Sequence, residues 1–298
     1  MNPIYIVLPL IVLLTYALGL GLKFDDFKML VRRPLPMLVG LTGQLLVLPT
    51  VAFMLAMAFE LPAVFFIGVV LIACCPGGSS SNIFTYIARG NVALSVAMTA
   101  VSSLVTIVTI PFIMALCVDY ISALGQDDFM YAKVTLPVGN LLMQNIVLML
   151  LPVILGILTR HFFYNFSQKL NAILSKIAFP SLILIVSIFF MKHYENIASY
   201  LDRLGLCILS LVVLAMLIAT LMSYLIRFNT TVRRTIVIEV AMQNAAQAIA
   251  IASSPFVFNS EIMTMPAIIY ALIMNVVLII YVAVLLGLHR PKTEAVCR

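Results

Sequence analysis

Eleven carboxylates occur in the chain, and ten of them fall between or at the ends of its apolar runs: Asp25, Asp26, Glu60, Asp119, Asp127, Asp128, Glu195, Asp202, Glu261 and Glu294. The eleventh, Glu239, stands inside the run Ile236-Val-Ile-Glu-Val-Ala-Met-Gln-Asn244. An ionisable group at membrane depth costs about 3 kcal/mol and by default marks a functional site. Gln243 and Gln247 follow at i+4 and i+8, which places two amides on the same face of a continuous helix. The bland alternative is an interfacial Glu239 that reaches water, because Arg234 lies five residues earlier. A second constellation is Cys74-Cys-Pro-Gly-Gly-Ser-Ser-Ser-Asn82. Pro removes a backbone donor and glycine loosens the chain, so a helix breaks here, and three hydroxyls and an amide follow at once. Ser95, Thr99 and Ser103 then repeat at i, i+4 and i+8. Taken alone they read as small-residue packing with hydroxyls bonded back to the preceding turn. Gln44, Asn140, Gln144, Asn145 and Asn275 are isolated amides in apolar runs, and for the three between 140 and 145 interhelical hydrogen bonding is the preferred reading. Carboxylate, hydroxyl and amide oxygens suit a hard cation. A transition metal wants His or Cys, yet His161, His193 and His289 stand at the ends of apolar runs.

The elements that must position these groups are membrane helices. Of 298 residues 64% are hydrophobic and 9% charged, with a net charge of +6. A soluble surface, a nucleic-acid-binding domain and a disordered chain are all excluded by that balance. Long unbroken apolar runs exclude a β-barrel, whose strands alternate. Five cysteines, odd in number and mostly within apolar runs, read as buried thiols. No basic stretch precedes the first apolar run, so no signal peptide is expected. Reading the runs against the roughly 20 residues of a span predicts nine, near 4–22, 35–59, 62–88, 92–117, 138–159, 171–191, 204–226, 232–254 and 265–287.

Charge sets the predicted orientation. One set of alternate gaps, with the tail, carries thirteen cations: Lys23, Lys28, Arg32, Arg33, Arg89, Arg160, Lys169, Arg227, Arg233, Arg234, Arg290, Lys292 and Arg298. The other set carries three: Lys133, Lys192 and Arg203. Cytoplasmic loops are the basic ones, which predicts an outside N-terminus and a cytoplasmic C-terminus. A polar break in one span of each half is the pattern of secondary transporters built from inverted repeats. Spans 3 and 8 are separated by an odd offset, as inversion requires. No Gly or Pro accompanies the second cluster, so its break is inferred from polarity.

Cys75-Pro-Gly-Gly-Ser-Ser-Ser-Asn82 with Ala88-Arg-Gly-Asn-Val-Ala-Leu-Ser95, and Glu239-Val-Ala-Met-Gln-Asn244, closely resemble the bile acid:sodium symporter family. The likeness runs from about residue 15 to about residue 285. It implies an all-α inverted-repeat fold with a panel domain and a core domain, in which two discontinuous helices cross. The chain starts where ten-helix members have their second helix, and so resembles a nine-helix member. One transmembrane domain would fill 1–298: repeat one at about 1–117, lacking one helix, repeat two at about 138–287, and a cytoplasmic tail at 288–298. The resemblance also implies two Na⁺ sites. One would use Ser81, Asn82, Ser95, Thr99 and Glu239. The other would use Gln44, Glu239, Gln243 and the carbonyls of Val240 and Met242. This chain has Ala241, Ala245 and Ala246 where members often have Gly, Ser and Gly. One carboxylate shared by two Na⁺ leaves a local charge of +1, and half-helix N-termini add to it. An organic anion would follow, with Ser79, Asn244 and Asn275 as candidate substrate contacts.

The implied function is sodium-coupled symport of an organic anion, a bile acid or a small acid such as pantoate, by alternating access in a plasma or bacterial inner membrane. Lipid is the expected surrounding, and neither nucleic acid nor an obligate protein partner is expected. A cation/proton antiporter of related fold is the alternative. It usually carries paired embedded Asp residues, and here no Asp is embedded. An intramembrane enzyme would need an embedded base or two embedded Asp, so an enzyme is not expected.

Overall fold

In lipid every backbone N–H and C=O must be satisfied within the segment, and the Leu-, Ile- and Val-rich runs of this chain do so as α-helices. The computed structural model describes residues 4–22, 34–78, 80–123, 138–192 and 194–287. In chain order the helices are α1 (Ile4–Gly21), α2 (Pro34–Ala58, with a π-helical turn at Gly43–Val47), α3 (Ala63–Cys74), α4 (Ser81–Ile87) and α5 (Val92–Ala123). They continue with α6 (Val138–Asn145, through a π-helical turn at Ile146–Leu150, into Leu151–Phe162), α7 (Tyr164–Lys192), α8 (Tyr194–Leu225), α9 (Thr230–Ala241), α10 (Ala245–Ser253) and α11 (Met265–Gly287). No strand occurs among the described residues; one antiparallel bridge joins Gly77 to Gln243. Among the described residues, five stretches are long and apolar enough to cross a membrane: Pro34–Ala58, Val92–Ala123, Gly139–Phe162, Asp202–Leu225 and Ile262–Gly287. The chain is a multi-pass membrane protein, and its outer faces carry exposed Val108 and Phe112 on α5, Leu217 and Leu221 on α8, and Ile279 and Ile280 on α11.

Two of the predicted spans arrive as pairs of shorter helices. The run 62–88 is α3 and α4, and the run 232–254 is α9 and α10. One reading from spacing is thereby corrected. Glu239, Gln243 and Gln247 do not share a helical face, because α9 ends at Ala241 and Gln243 lies in the break. Every residue of α3 from Phe65 to Cys74 is buried, which marks a helix enclosed on all sides by others.

The main apolar core draws on α2, α3, α5, α6 (through Leu141), α8, α9, α10 and α11, and Leu8 and Leu10 of α1 pack against it. Two small clusters lie apart from it. One joins α1 to α7 through Ala17, Leu20 and Leu174. The other joins Leu22, Ala100 of α5 and Val153 of α6. Helices α1 and α6 approach at backbone distance. A Cβ on Gly19 would stand 2.3 Å from the Val153 carbonyl oxygen, and one on Gly156 2.5 Å from that of Tyr16. Small residues at such a crossing allow the packing that holds membrane helices together. The Arg160 guanidinium donates to the carbonyls of Leu20 (2.9 Å) and Gly21 (2.6 Å), closing the C-terminus of α1. A side chain at 156 has only backbone to displace. Gly156→Leu is expected to destabilise by about 3 kcal/mol, read as a fall in the unfolding temperature of the detergent-solubilised protein. Gly139→Leu, with nothing within 4 Å of the added Cβ, should leave it unchanged.

Candidate functional site

The site begins with two helix breaks that satisfy one another. Pro76 forces the residue before it out of the helical region, and Cys75 is extended at φ −66°, ψ 155°. The second break has no such residue. Met242 (φ −107°, ψ 101°) and Asn244 (φ −79°, ψ 82°) leave the helix with negative φ, so Ala241, Ala245 and Ala246 fit where a left-handed glycine is not needed. What opens the helix is the partner break. The Gly78 N–H donates to the Met242 carbonyl (3.1 Å), and the Asn244 N–H donates to the Pro76 carbonyl (2.8 Å). Asn244 also caps α10, its side chain accepting from the Gln247 N–H at 3.1 Å. Each break thus supplies the partners that the other lost, as buried backbone requires.

Glu239, on the last turn of α9, lies beside this crossing and is 0% exposed. The interfacial alternative, a carboxylate that reaches water, is not what this conformation holds, since Glu239 is fully buried. Arg234, which had suggested it, donates to the Ala88 carbonyl at the end of α4 (2.9 Å). Ser81 Oγ of α4 donates to Glu239 Oε1 at 2.5 Å, and Ser95 Oγ of α5 donates to the same oxygen. Thr99 Oγ1 donates to Oε2 at 3.0 Å. The predicted ladder on α5 therefore divides. Ser95 and Thr99 serve the carboxylate, while Ser103 bonds back to the Thr99 carbonyl at 2.7 Å. Asn82 follows Ser81 on the first turn of α4 and is half-buried.

Gln44 reaches the site from the π-helical turn of α2, where the added residue widens the turn. Its Nε2 donates to the Glu239 backbone carbonyl (3.3 Å), and Gln243 Nε2 donates to the Val240 carbonyl (2.9 Å). Both amide oxygens, Gln44 Oε1 and Gln243 Oε1, are buried without a partner. Gly77 packs the centre: a Cβ there would lie 2.9 Å from Glu239 Oε2, 3.2 Å from Gln44 Nε2 and 3.4 Å from Thr99 Oγ1. The structure thus brings together Gln44, Ser81, Ser95, Thr99, Glu239, Val240, Met242 and Gln243 from four separate helices and one break. Ser79 lies outside the described residues. Asn275 bonds within its own helix, donating to the Ala271 carbonyl at 2.7 Å, and leaves its Oδ1 unpartnered.

A buried carboxylate with no cation beside it is costly by several kcal/mol, and three hydroxyl donors offset only part of that. The donor set is oxygen throughout, with two amide oxygens unspent. It fits a hard cation in type of ligand. The matching family model, Sodium Bile acid symporter family, covers residues 8–200. The chain belongs to that family. A sodium-dependent transporter of Bacillus subtilis (strain 168), YocS, is 34% identical over 250 residues, covering 82% of this chain and 72% of its own length. The probable sodium/metabolite cotransporter BASS2, chloroplastic, of Oryza sativa subsp. japonica is 31% identical, covering 82% of this chain and 55% of its own. The human P3 protein is 28% identical, covering 84% and 51%. The chain therefore spans about half the length of these plant and human relatives. The sodium-dependent relatives are named as transporters, and none of these names is an enzyme's.

Sequence reasoning passed over Tyr270 of α11. It is 0% exposed, and its hydroxyl donates to the Ala241 carbonyl at 2.9 Å, where α9 ends. A phenol in an apolar run of this kind carries no local signal that would have found it. Tyr270→Phe leaves that carbonyl buried and unpartnered, which costs about 1–3 kcal/mol. The expected result is a lower unfolding temperature together with weaker apparent sodium affinity in an uptake assay. An unchanged sodium dependence would make the hydroxyl merely structural.

Proposed function

We propose that this protein couples inward movement of Na⁺ to the movement of an organic anion across the membrane by alternating access. The observation that carries the reading is Glu239, a single embedded carboxylate ringed by Ser81, Ser95 and Thr99 where two broken helices meet. Two Na⁺ would share it as co-transported substrate: one among Ser81, Asn82, Ser95, Thr99 and Glu239, the other among Gln44, Glu239, Gln243 and the carbonyls of Val240 and Met242. The unpartnered Gln44 Oε1 and Gln243 Oε1 support the second. With both ions present the local charge is +1, and an anion is drawn to the breaks. The anion site then exists only in the sodium-loaded protein, and that dependence couples the two fluxes. Ser79, Asn244 and Asn275 are the candidate anion contacts.

The fold assigned to this mechanism has nine spans, an outside N-terminus and two inverted repeats. The small cluster of Ala17, Leu20 and Leu174, which joins α1 to α7 apart from the main core, supports a panel that moves against a core. Relatives named sodium/metabolite cotransporters support an organic metabolite as the cargo.

Uptake of labelled taurocholate and labelled pantoate into proteoliposomes, with and without an inward sodium gradient, tests the reading. Sodium-driven accumulation of either anion is the expected result. Sodium-driven proton movement with neither anion carried overturns it.

A further inference from the structure

The ion site uses none of the arginines that gather where α8 ends and α9 begins. Arg233 lies over the Tyr224 ring, 5.3 Å from its centroid, and donates to the Phe228 carbonyl at 3.2 Å. Arg227 stands between those two partners in the chain, and its N–H donates to the Tyr224 carbonyl at 2.9 Å. Arg234 joins this turn to the end of α4 through the Ala88 carbonyl, the residue before Arg89. The Asn91 N–H donates to Thr235 Oγ1 at 2.7 Å and ties the two turns together. The segments that meet here, 83–92 and 221–236, contain no carboxylate.

Arg89 and Arg227 close their helices at left-handed φ, 57° and 60°. The bonding is the same at both ends. The N–H of Arg227 donates to Tyr224 and that of Phe228 to Ser223; the N–H of Arg89 donates to Tyr86 and that of Gly90 to Thr85. Glycine is the usual residue at this position of a helix end. An arginine there keeps a charge that the turn itself does not need.

Arg233 is half-buried, and its Nε is buried without a partner. The carbonyl and the ring that it does meet are neutral. A guanidinium taken partly out of water calls for an anion, and its planar fork matches a phosphate. The surroundings select the source of that phosphate. Leu221, Tyr224 and Leu225 of α8 are exposed, and so are Tyr86 and Ile87 of α4. Tyrosines and arginines beside exposed aliphatic side chains mark the level of lipid headgroups. Leu221 lies one turn before Tyr224 on the same face of α8, so a phosphate held by Arg227 and Arg233 can lay an acyl chain along that face. A free phosphate has no such chain. The net charge favours an anionic lipid over a zwitterionic one, whose ammonium the guanidiniums repel.

We propose that Arg227, Arg233 and Tyr224 bind the phosphodiester headgroup of an anionic phospholipid, with Arg89 and Arg234 adding to the field that holds it. This does not depend on which solute the protein carries.

The test titrates phosphatidylglycerol, phosphatidylcholine or inorganic phosphate into the full chain in an uncharged detergent at low salt, and reads the unfolding temperature. Phosphatidylglycerol is expected to raise it, at a half-maximal mole fraction at least about tenfold below that of phosphatidylcholine. A cation near an anionic headgroup is worth about fivefold in affinity. Arg227→Gln should therefore raise the half-maximal mole fraction by about fivefold, and Arg227→Gln with Arg233→Gln by about twentyfold. Arg203→Gln, at an exposed arginine toward the other end of α8, should leave it in place. Arg227 is exposed, so its single variant tests the site even where the half-buried Arg233 is needed for folding. Equal responses of wild type to the two lipids overturn the proposal, as does a phosphatidylglycerol response that Arg227→Gln leaves unchanged. Full stabilisation by inorganic phosphate at the same concentration makes the site one for a soluble anion and overturns the lipid assignment.

Discussion

Glu239→Gln is expected to abolish sodium-driven uptake and sodium binding while leaving the fold intact. Gln has nearly the same shape, and its amide oxygen can still accept from Ser81 and Ser95. The Thr99 hydroxyl then turns to accept from the new amide. What is lost is the one fully buried carboxylate charge among the described residues, around which both proposed Na⁺ ions are arranged. Removing one partner of a buried charge pair costs about 3–5 kcal/mol, which is about 10²–10⁴ in affinity. Two measurements separate charge from packing. Sodium at 100 times its dissociation constant should stabilise the wild-type protein by about 2.7 kcal/mol, seen as a rise in unfolding temperature. Glu239→Gln should unfold near the sodium-free wild-type temperature and show no rise. Uptake in proteoliposomes should fall to the level seen without a gradient. Sodium-dependent stabilisation within threefold of wild type would remove Glu239 from the ion site.

Gly77→Ala should weaken apparent sodium affinity by at least about tenfold. The added methyl would lie 2.9 Å from Glu239 Oε2 and 3.2 Å from Gln44 Nε2. At the shorter distance something must shift, and the nearest movable group is the carboxylate itself. Overpacking of this size costs about 1–3 kcal/mol, and here it falls on the ligands. The backbone N–H of Gly77 also donates to Ser102 Oγ at 3.3 Å, so the loop has little room to retreat. The check is the sodium concentration for half-maximal uptake, with Gly139→Ala as control because its added Cβ meets nothing within 4 Å. An unchanged half-maximal concentration would mean that the methyl is absorbed elsewhere and that the ligand geometry is looser than described.

Much of the site was legible from residue types. Glu239 was conspicuous as the one carboxylate inside an apolar run, and Pro76-Gly77-Gly78 announced a break before any helix was placed. Gln44, Ser95 and Thr99 were not separable from packing residues by spacing alone; resemblance to a family singled them out. Their geometry follows from contacts distant in sequence, such as the 144-residue separation of Ser95 from Glu239. The second break was misread in one respect. Local sequence from Ile236 to Ala252 favours continuous helix, with alanines and long aliphatic side chains, so Gln243 and Gln247 were placed on the face of Glu239.

The sequence by itself determined a polytopic helical membrane protein, the depth of one carboxylate and the hard-oxygen character of its neighbours. Those follow from composition and from the free energy of placing charge in hydrocarbon, which depend on residue type and span length. Tertiary structure alone decided where α9 stops. The Met242 carbonyl and the Asn244 N–H are released from the helix because Gly78 and Pro76 of another segment receive them. Hydrogen bonds lost locally and regained between Gly78 and Met242 and between Pro76 and Asn244 leave no periodic trace in the chain. The same holds for Tyr270, whose role is set by the Ala241 carbonyl opposite it, and only packing brings those two together.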